Sequence, residues 1–140
     1  MSDGPVLGVL GGGQLAQMMA RAAKPLGISC IAIDPNPDAC AASDAELWVS
    51  AYDNRETLLK LAERADVVTF EFENVPTSSL ELLEGRVRID PNAEALRVSS
   101  DRIAEKRYFE STGVPIGPYR EVSNAAELDV AVRELGCRRS

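Results

Sequence analysis

Histidine is absent from this 140-residue chain. That removes the commonest general base and the commonest zinc ligand. Aromatic residues make up only 5%, too few for a stacking platform on single-stranded nucleic acid. Cys30, Cys40 and Cys137 are an odd, widely spaced set. They match no metal-ligand spacing and read as reduced thiols. No apolar run reaches the roughly 18 residues of a membrane-spanning helix. The short acidic start, Met1-Ser2-Asp3-Gly4-Pro5, lacks the basic and apolar regions of a signal peptide. The expected address is the cytoplasm, with no membrane partner. Positive charge is also scarce: the net charge is −7, without the basic footprint of a nucleic-acid binder. Small anionic ligands stay open, because they read local fields.

What is present is a globular composition, 45% hydrophobic and 26% charged, on a chain long enough for one domain with a core. Strand-like and helix-like segments alternate. Val6–Leu10 reads as a buried strand. Gln14–Leu26 reads as a helix whose buried face is Leu15, Met18, Met19, Ala22 and Leu26, ended by Pro25 and Gly27. Ile28–Ile33 is a second strand, and Asp34-Pro35-Asn36-Pro37-Asp38 a loop. Leu47-Trp48-Val49 is a third, short strand. Asp53 and Glu56 form a capping pair for a helix with Leu58, Leu59 and Leu61 or Ala62 in the core. Val67–Phe72 is a fourth strand. Ser78 and Glu81 suggest a second capping box, and Val87–Ile89 a fifth strand. Asn92 caps a short helix. Ser100 or Asp101 starts another, which Gly113 ends. Tyr119–Val122 reads as a short strand, and Asn124 caps a last helix, Ala125–Leu135. This order predicts βαβ units, hence an α/β, Rossmann-like, doubly wound parallel sheet up to about residue 98. Thr112–Pro118, rich in Pro and Gly, is the linker candidate.

Gly11-Gly12-Gly13-Gln14-Leu15 follows the first strand directly. A strand, a glycine turn and a helix start bring backbone N–H groups and a positive helix end to an anion, usually a phosphate. Gly11-x-Gly13-x-x-Ala16, with Asp34 placed 21 residues after Gly13, also fits the dinucleotide fingerprint. A tight turn without a ligand is the plainer reading. Two features weigh against a nicotinamide or flavin cofactor. Gln14 sets a polar amide at the first helical turn, and the stiff Asp34-Pro-Asn-Pro loop crowds the adenosine position.

Glu71 and Glu73 alternate with Phe70 and Phe72, so the two acids share one face at the carboxyl end of a strand. That edge is where ligands bind in open α/β sheets. Two acids there accept hydrogen bonds from ribose hydroxyls or an amine; the bland alternative is a solvated strand-end charge. Arg102, Lys106 and Arg107 share one helix, with Arg102 and Lys106 on one face. A salt-bridged surface helix explains that pattern by itself. Arg102, early in the helix, is the best placed of the three to reach a nucleotide phosphate.

Taken together, Gly11-Gly-Gly-Gln14-Leu15, Asp34-Pro35-x-Pro37, Ala51-Tyr52-Asp53, Thr69-Phe-Glu71-Phe-Glu73-Asn74-Val75-Pro76, Ser100-Asp101-Arg102-x-x-Glu-Lys106 and Thr112-Gly-Val-Pro115 resemble the N-terminal part of the N5-carboxyaminoimidazole ribonucleotide synthases. These are ATP-grasp ligases, the ATPase subunit of phosphoribosylaminoimidazole carboxylase. The resemblance implies carboxylation of 5-aminoimidazole ribonucleotide in purine biosynthesis, using ATP, bicarbonate and Mg²⁺, through carboxyphosphate, in a homodimeric enzyme. It places Gln14 and Leu15 beside the ribonucleotide's phosphate or ribose, beyond the turn Gly11, Gly12 and Gly13. It makes Glu71 a ribonucleotide ligand, Glu73 a weaker one, and Arg102 a contact of ATP. Asp34 becomes a strand-end and loop residue. The implied division is a pre-ATP-grasp domain over residues 1–112, then a linker and the first elements of an ATP-grasp domain over 113–140. The family's ATP-binding lysine, phosphate-covering glycine loop and Mg²⁺-binding acids have no counterpart in these 140 residues. No catalytic or metal residue is therefore expected here, and the chain alone is expected not to turn over. A stand-alone nucleotide or NAD(P)-binding module is the alternative. Leu128, Val132 and Leu135 are expected to be exposed or repacked, with self-association or disorder past about Gly113.

Overall fold

β-Branched and leucine-rich runs form the strands of the computed structural model, which describes residues 4–72 and 74–136. They are β1 (Val6–Leu10), β2 (Ser29–Asp34), β3 (Glu46–Val49), β4 (Val67–Phe70) and β5 (Arg88–Ile89). The helices are α1 (Gln14–Ala23), α2 (Arg55–Arg64), α3 (Thr77–Leu83), α4 (Ala93–Ser99), α5 (Arg102–Ser111) and α6 (Ala125–Leu135). The strands form one parallel sheet in the order β3-β2-β1-β4-β5. The α/β doubly wound class expected from the alternation is the one observed. The chain runs outward from β1 to β3, then returns to pair β4 on the other side of β1. The crevice outside the carboxyl ends of β1 and β4 is thus the topological switch point, the usual ligand position in such sheets.

Strand alternation separates two apolar layers. Leu10, Ile31, Ile33 and Val68 pack with Leu58 and Leu61 of α2, Leu80 and Leu83 of α3, and Leu96 of α4. Val9 and Ala32 meet Ala16 of α1 and Ala41. The second layer is built from small side chains, and this corrects the expected face of α1. Ala16, Ala20 and Ala23 are buried, whereas Leu15, Met18 and Leu26 are exposed. A helix lying close over β1 and β2 leaves room mainly for methyl groups, so Leu15 and Met18 turn outward while Met19 stays half-buried at the edge of the layer.

Other boundaries move by a residue or a turn. A 3-10 turn, Lys24–Leu26, finishes the first helical segment. Asn54, not Asp53, caps α2, by accepting from the Thr57 N–H. Pro76 occupies the N-cap of α3 with no side-chain cap, so Ser78 and Glu81 form no capping box. β4 ends at Phe70, before the carboxylates. Residues 119–122 are not a strand. Glu73 and Cys137 lie outside the described residues.

The chain divides into two compact units, one up to Ser100 and one from Asp101. In the second, Asp101 Oδ1 accepts from the Ile103 and Ala104 N–H groups and caps α5. Asn124 caps α6. In α6, Leu128 is exposed, Val132 and Leu135 are half-buried, and Ala131 is buried. No helix among the described residues is long and apolar enough to cross a membrane.

Candidate functional site at the sheet switch point

The glycine turn leaves the carboxyl end of β1 at the switch point. Gly11 has a φ of +117°, a conformation that favours glycine. Its N–H donates to the Ile33 carbonyl at 2.9 Å, which extends the β1–β2 ladder by one bond. The next two N–H groups go to side-chain acids. Gly12 N donates to Asp34 Oδ2 at 2.8 Å. Gly13 N donates to Glu71 Oε2 at 2.8 Å. Carboxylates thus accept from the turn's N–H groups, where the sequence pattern suggests a phosphate. Such charge-assisted bonds are stronger than neutral ones.

Glu71 reaches the turn because β1 and β4 are neighbours: its own N–H donates to the Leu10 carbonyl at 3.0 Å. Its carboxylate lies against the N-terminus of α1. A Cβ on Gly13 would come within 2.3 Å of Glu71 Oε1, and one on Gly11 within 2.8 Å of Glu71 Cβ. Glycine at these positions allows the acid to approach the backbone. Gln14 and Leu15 follow at once, exposed on the first turn of α1. The Gly13 N-cap supplies no side-chain cap to that turn. The carboxylate of Glu71 takes the place of that cap, its negative charge set against the positive helix end.

Asp34 is more heavily engaged than a strand-end residue needs to be. Oδ2 accepts from Gly12 N and from the Tyr52 hydroxyl at 2.8 Å each, and Oδ1 accepts from Asn36 N at 2.8 Å. Burial, the bond to Asp34 and the negative charges of Asp34 and Glu71 push the Tyr52 hydroxyl well above the usual tyrosine range. Tyr52 also meets Phe72 edge-on, with ring centroids 5.6 Å apart. The Gly12 carbonyl accepts from Ala41 N at 2.9 Å. A Cβ on Gly12 would lie 2.9 Å from that of Ala39. The 39–43 segment therefore packs directly on the glycine turn. Gln17 of α1 fastens it, donating to the Cys40 carbonyl at 3.0 Å and to Ser43 Oγ at 2.7 Å.

The structure brings Gly11, Gly12, Gly13, Gln14, Leu15 and Glu71 together in the first unit. Arg102 opens α5 in the second unit. It is exposed and paired with Glu105 at 2.6 Å, the surface-helix arrangement that its spacing also allowed. Tyr52 is the participant that sequence reasoning missed. Ala51-Tyr52-Asp53 was recognisable as a segment, but nothing local shows that its hydroxyl meets an acid 18 residues earlier. No three His, Cys, Asp or Glu side chains among the described residues are grouped as a metal site requires.

Residues 5–100 match the model of the ribonucleotide synthetase preATP-grasp domain. The N5-carboxyaminoimidazole ribonucleotide synthase of Pseudomonas aeruginosa is 45% identical over 130 residues, which cover 93% of this chain and 36% of that protein. The crystal structure of the synthetase of that name from Thermus thermophilus superposes with a TM-score of 0.83 at 43% identity, over 93% of this chain and 36% of the other. The Aspergillus clavatus synthase, crystallised with ADP and 5-aminoimidazole ribonucleotide, gives a TM-score of 0.78 at 33% identity, over 97% and 37%. The chain thus spans little more than a third of the length of these relatives, corresponding to their N-terminal part.

Proposed function

Because the chain belongs to the ribonucleotide synthetase preATP-grasp domain family, we propose that it forms the ribonucleotide-binding wall of an ATP-dependent carbon–nitrogen ligase. The reaction is the carboxylation of 5-aminoimidazole ribonucleotide with ATP and bicarbonate. The observation that carries this reading is the Glu71 carboxylate drawn to the N-terminus of α1, beside Gln14 and Leu15, at the switch point. The helix end and the Gln14 amide suit a ribose phosphate. Glu71, an acceptor with lone pairs to spare beyond its Gly13 bond, suits a hydroxyl or the reacting amine; Glu73 is the second candidate. Holding the amine in one orientation is the kind of contribution that positioning makes to such a transfer. Substrate phosphate meets Gly11, Gly12 and Gly13 through the turn they shape and through the N–H groups that follow it.

Further parts of the reading rest on the family alone. Arg102 contacts ATP, and the ATP-grasp portion begins with the linker after residue 112. The enzyme is a cytoplasmic homodimer. Mg²⁺ would supply charge stabilisation to the phosphoryl chemistry, and the described residues offer it no ligand cluster. The chain by itself is a binding unit. Purified, it is expected to show no ATP hydrolysis that depends on 5-aminoimidazole ribonucleotide, and clear turnover would contradict this. Calorimetric titrations with the ribonucleotide and with NAD separate the two ligand classes. Binding of the ribonucleotide and not NAD is expected. Tight NAD binding would favour a dinucleotide module instead.

A further inference from the structure

We infer that Asp34 and Tyr52 are positioning residues for this site: together they lock the glycine turn in the geometry that meets Glu71 and the ribonucleotide. The inference rests on the proposed function for its ligand, and on the hydrogen bonds of the turn for its mechanism. Asp34 sits where a dinucleotide-binding sheet would offer an acid to ribose. Here its two oxygens are engaged by three donors of the chain itself, Gly12 N, Asn36 N and the Tyr52 hydroxyl, all at 2.8 Å. The segment that packs on Gly12 through Ala39 and Ala41 closes the same side of the turn. The acid therefore acts on backbone, not on ligand.

The network joins the ends of four strands. Asp34 ends β2 and holds the turn after β1. Tyr52 follows β3 and holds Asp34. Its ring then meets Phe72, the neighbour of Glu71, just past β4. Asp34 holds the N–H of the Gly11–Gly12 peptide and Ala41 N the carbonyl of the Gly12–Gly13 peptide, so the two planes on either side of Gly12 are fixed and with them the direction in which Gly13 N points at Glu71. A displacement of about 1 Å in such a framework is enough to cost a large factor in a positioned reaction. Tyr52 is a neutral donor in the ordinary pH range, as tyrosines are, and burial with its bond to Asp34 pushes the hydroxyl further up.

The test uses Tyr52→Phe, Asp34→Asn and the double variant in the full 140-residue chain. Phe keeps the ring contact with Phe72 and removes only the hydroxyl. Affinity for 5-aminoimidazole ribonucleotide is measured by calorimetry well below the melting temperature. Each single variant is expected to weaken binding about three- to ten-fold. The double variant is expected to lose less than the product of the two, as coupled partners do. A purely structural role would lower the melting temperature and leave the affinity of the folded protein unchanged, which would overturn the inference. If the unmodified chain binds no ribonucleotide, the functional reading fails, and amide hydrogen exchange decides the locking role alone. Faster exchange at Gly12 in either variant, with Val68 unchanged, supports the lock; unchanged exchange at Gly12 overturns it.

Discussion

Gly13 has room for a hydrogen and nothing more, because Glu71 Oε1 faces it while Oε2 of the same carboxylate accepts from its N–H. The backbone there is not strained, with φ of −79°, and the obstacle is the end of a flexible side chain. Gly13→Ala is therefore expected to fold, losing about 1–3 kcal/mol, while Glu71 swings away from the turn. Ribonucleotide affinity should fall at least about ten-fold, the scale of one charge-assisted bond. Thermal denaturation and calorimetry on the same sample check the two effects; unchanged affinity would mean that Glu71 does not need the turn. Glu71 itself was legible in the sequence as an acid at a strand's carboxyl end. The reason for its place was not. Gly13 and Glu71 are 58 residues apart, and only the pairing of β1 with β4 makes them neighbours. Asp34 was visible for the same reason as Glu71, but its partner Tyr52 was not, since a hydroxyl gains a role only once the strands fix its neighbour.

At the scale of elements, the parallel sheet and the helix count of the first unit follow from alternating runs, whereas the strand order comes only from the pairing, and four N-caps fall on or next to an expected residue. The face of α1 was misread because periodicity was weighted by side-chain size. Ala16, Ala20 and Ala23 repeat with the same spacing as the larger residues, rotated around the helix, and close approach to the sheet selects them. In α3, Ser79 is 1% exposed, and its hydroxyl has no partner among the described residues. Ser79→Ala should therefore be neutral or stabilising by up to about 1 kcal/mol, read as an upward shift in the urea midpoint; a downward shift of that size would show that the hydroxyl is used. At β3, Trp48 Nε1 donates to Glu46 Oε1 at 2.8 Å, and Arg64 pairs with the same acid. The tryptophan bond first, then Arg64, hold the Glu46 carboxyl below its ordinary value. A lowered folded-state value means that this contribution to stability is complete above the unfolded glutamate pKa of about 4.3 and disappears as pH falls through the folded value. Trp48 is the chain's single tryptophan, so its fluorescence should change only below that ordinary range. A change at or above it would contradict the assignment.

Across the whole molecule, a five-stranded parallel sheet with its order reversing between β1 and β4 gathers the glycine turn, the α1 N-terminus and Glu71 into one crevice. The same fold and fingerprint serve dinucleotide enzymes, so the architecture alone does not choose the ligand. Under the proposed function, the choice is made by how the acids are spent. Asp34 is consumed by the backbone, which removes the usual ribose anchor of a dinucleotide site. Glu71 keeps acceptor capacity beside Gln14 and Leu15. The central claim is that this chain carries a ribonucleotide half-site organised by Glu71. Its most direct test is the dissociation constant of 5-aminoimidazole ribonucleotide for the 140-residue chain and for Glu71→Gln, measured side by side. Saturable binding that weakens about ten-fold or more in the variant is the predicted result. No binding to the unmodified chain, or equal affinity in the two, would contradict the account.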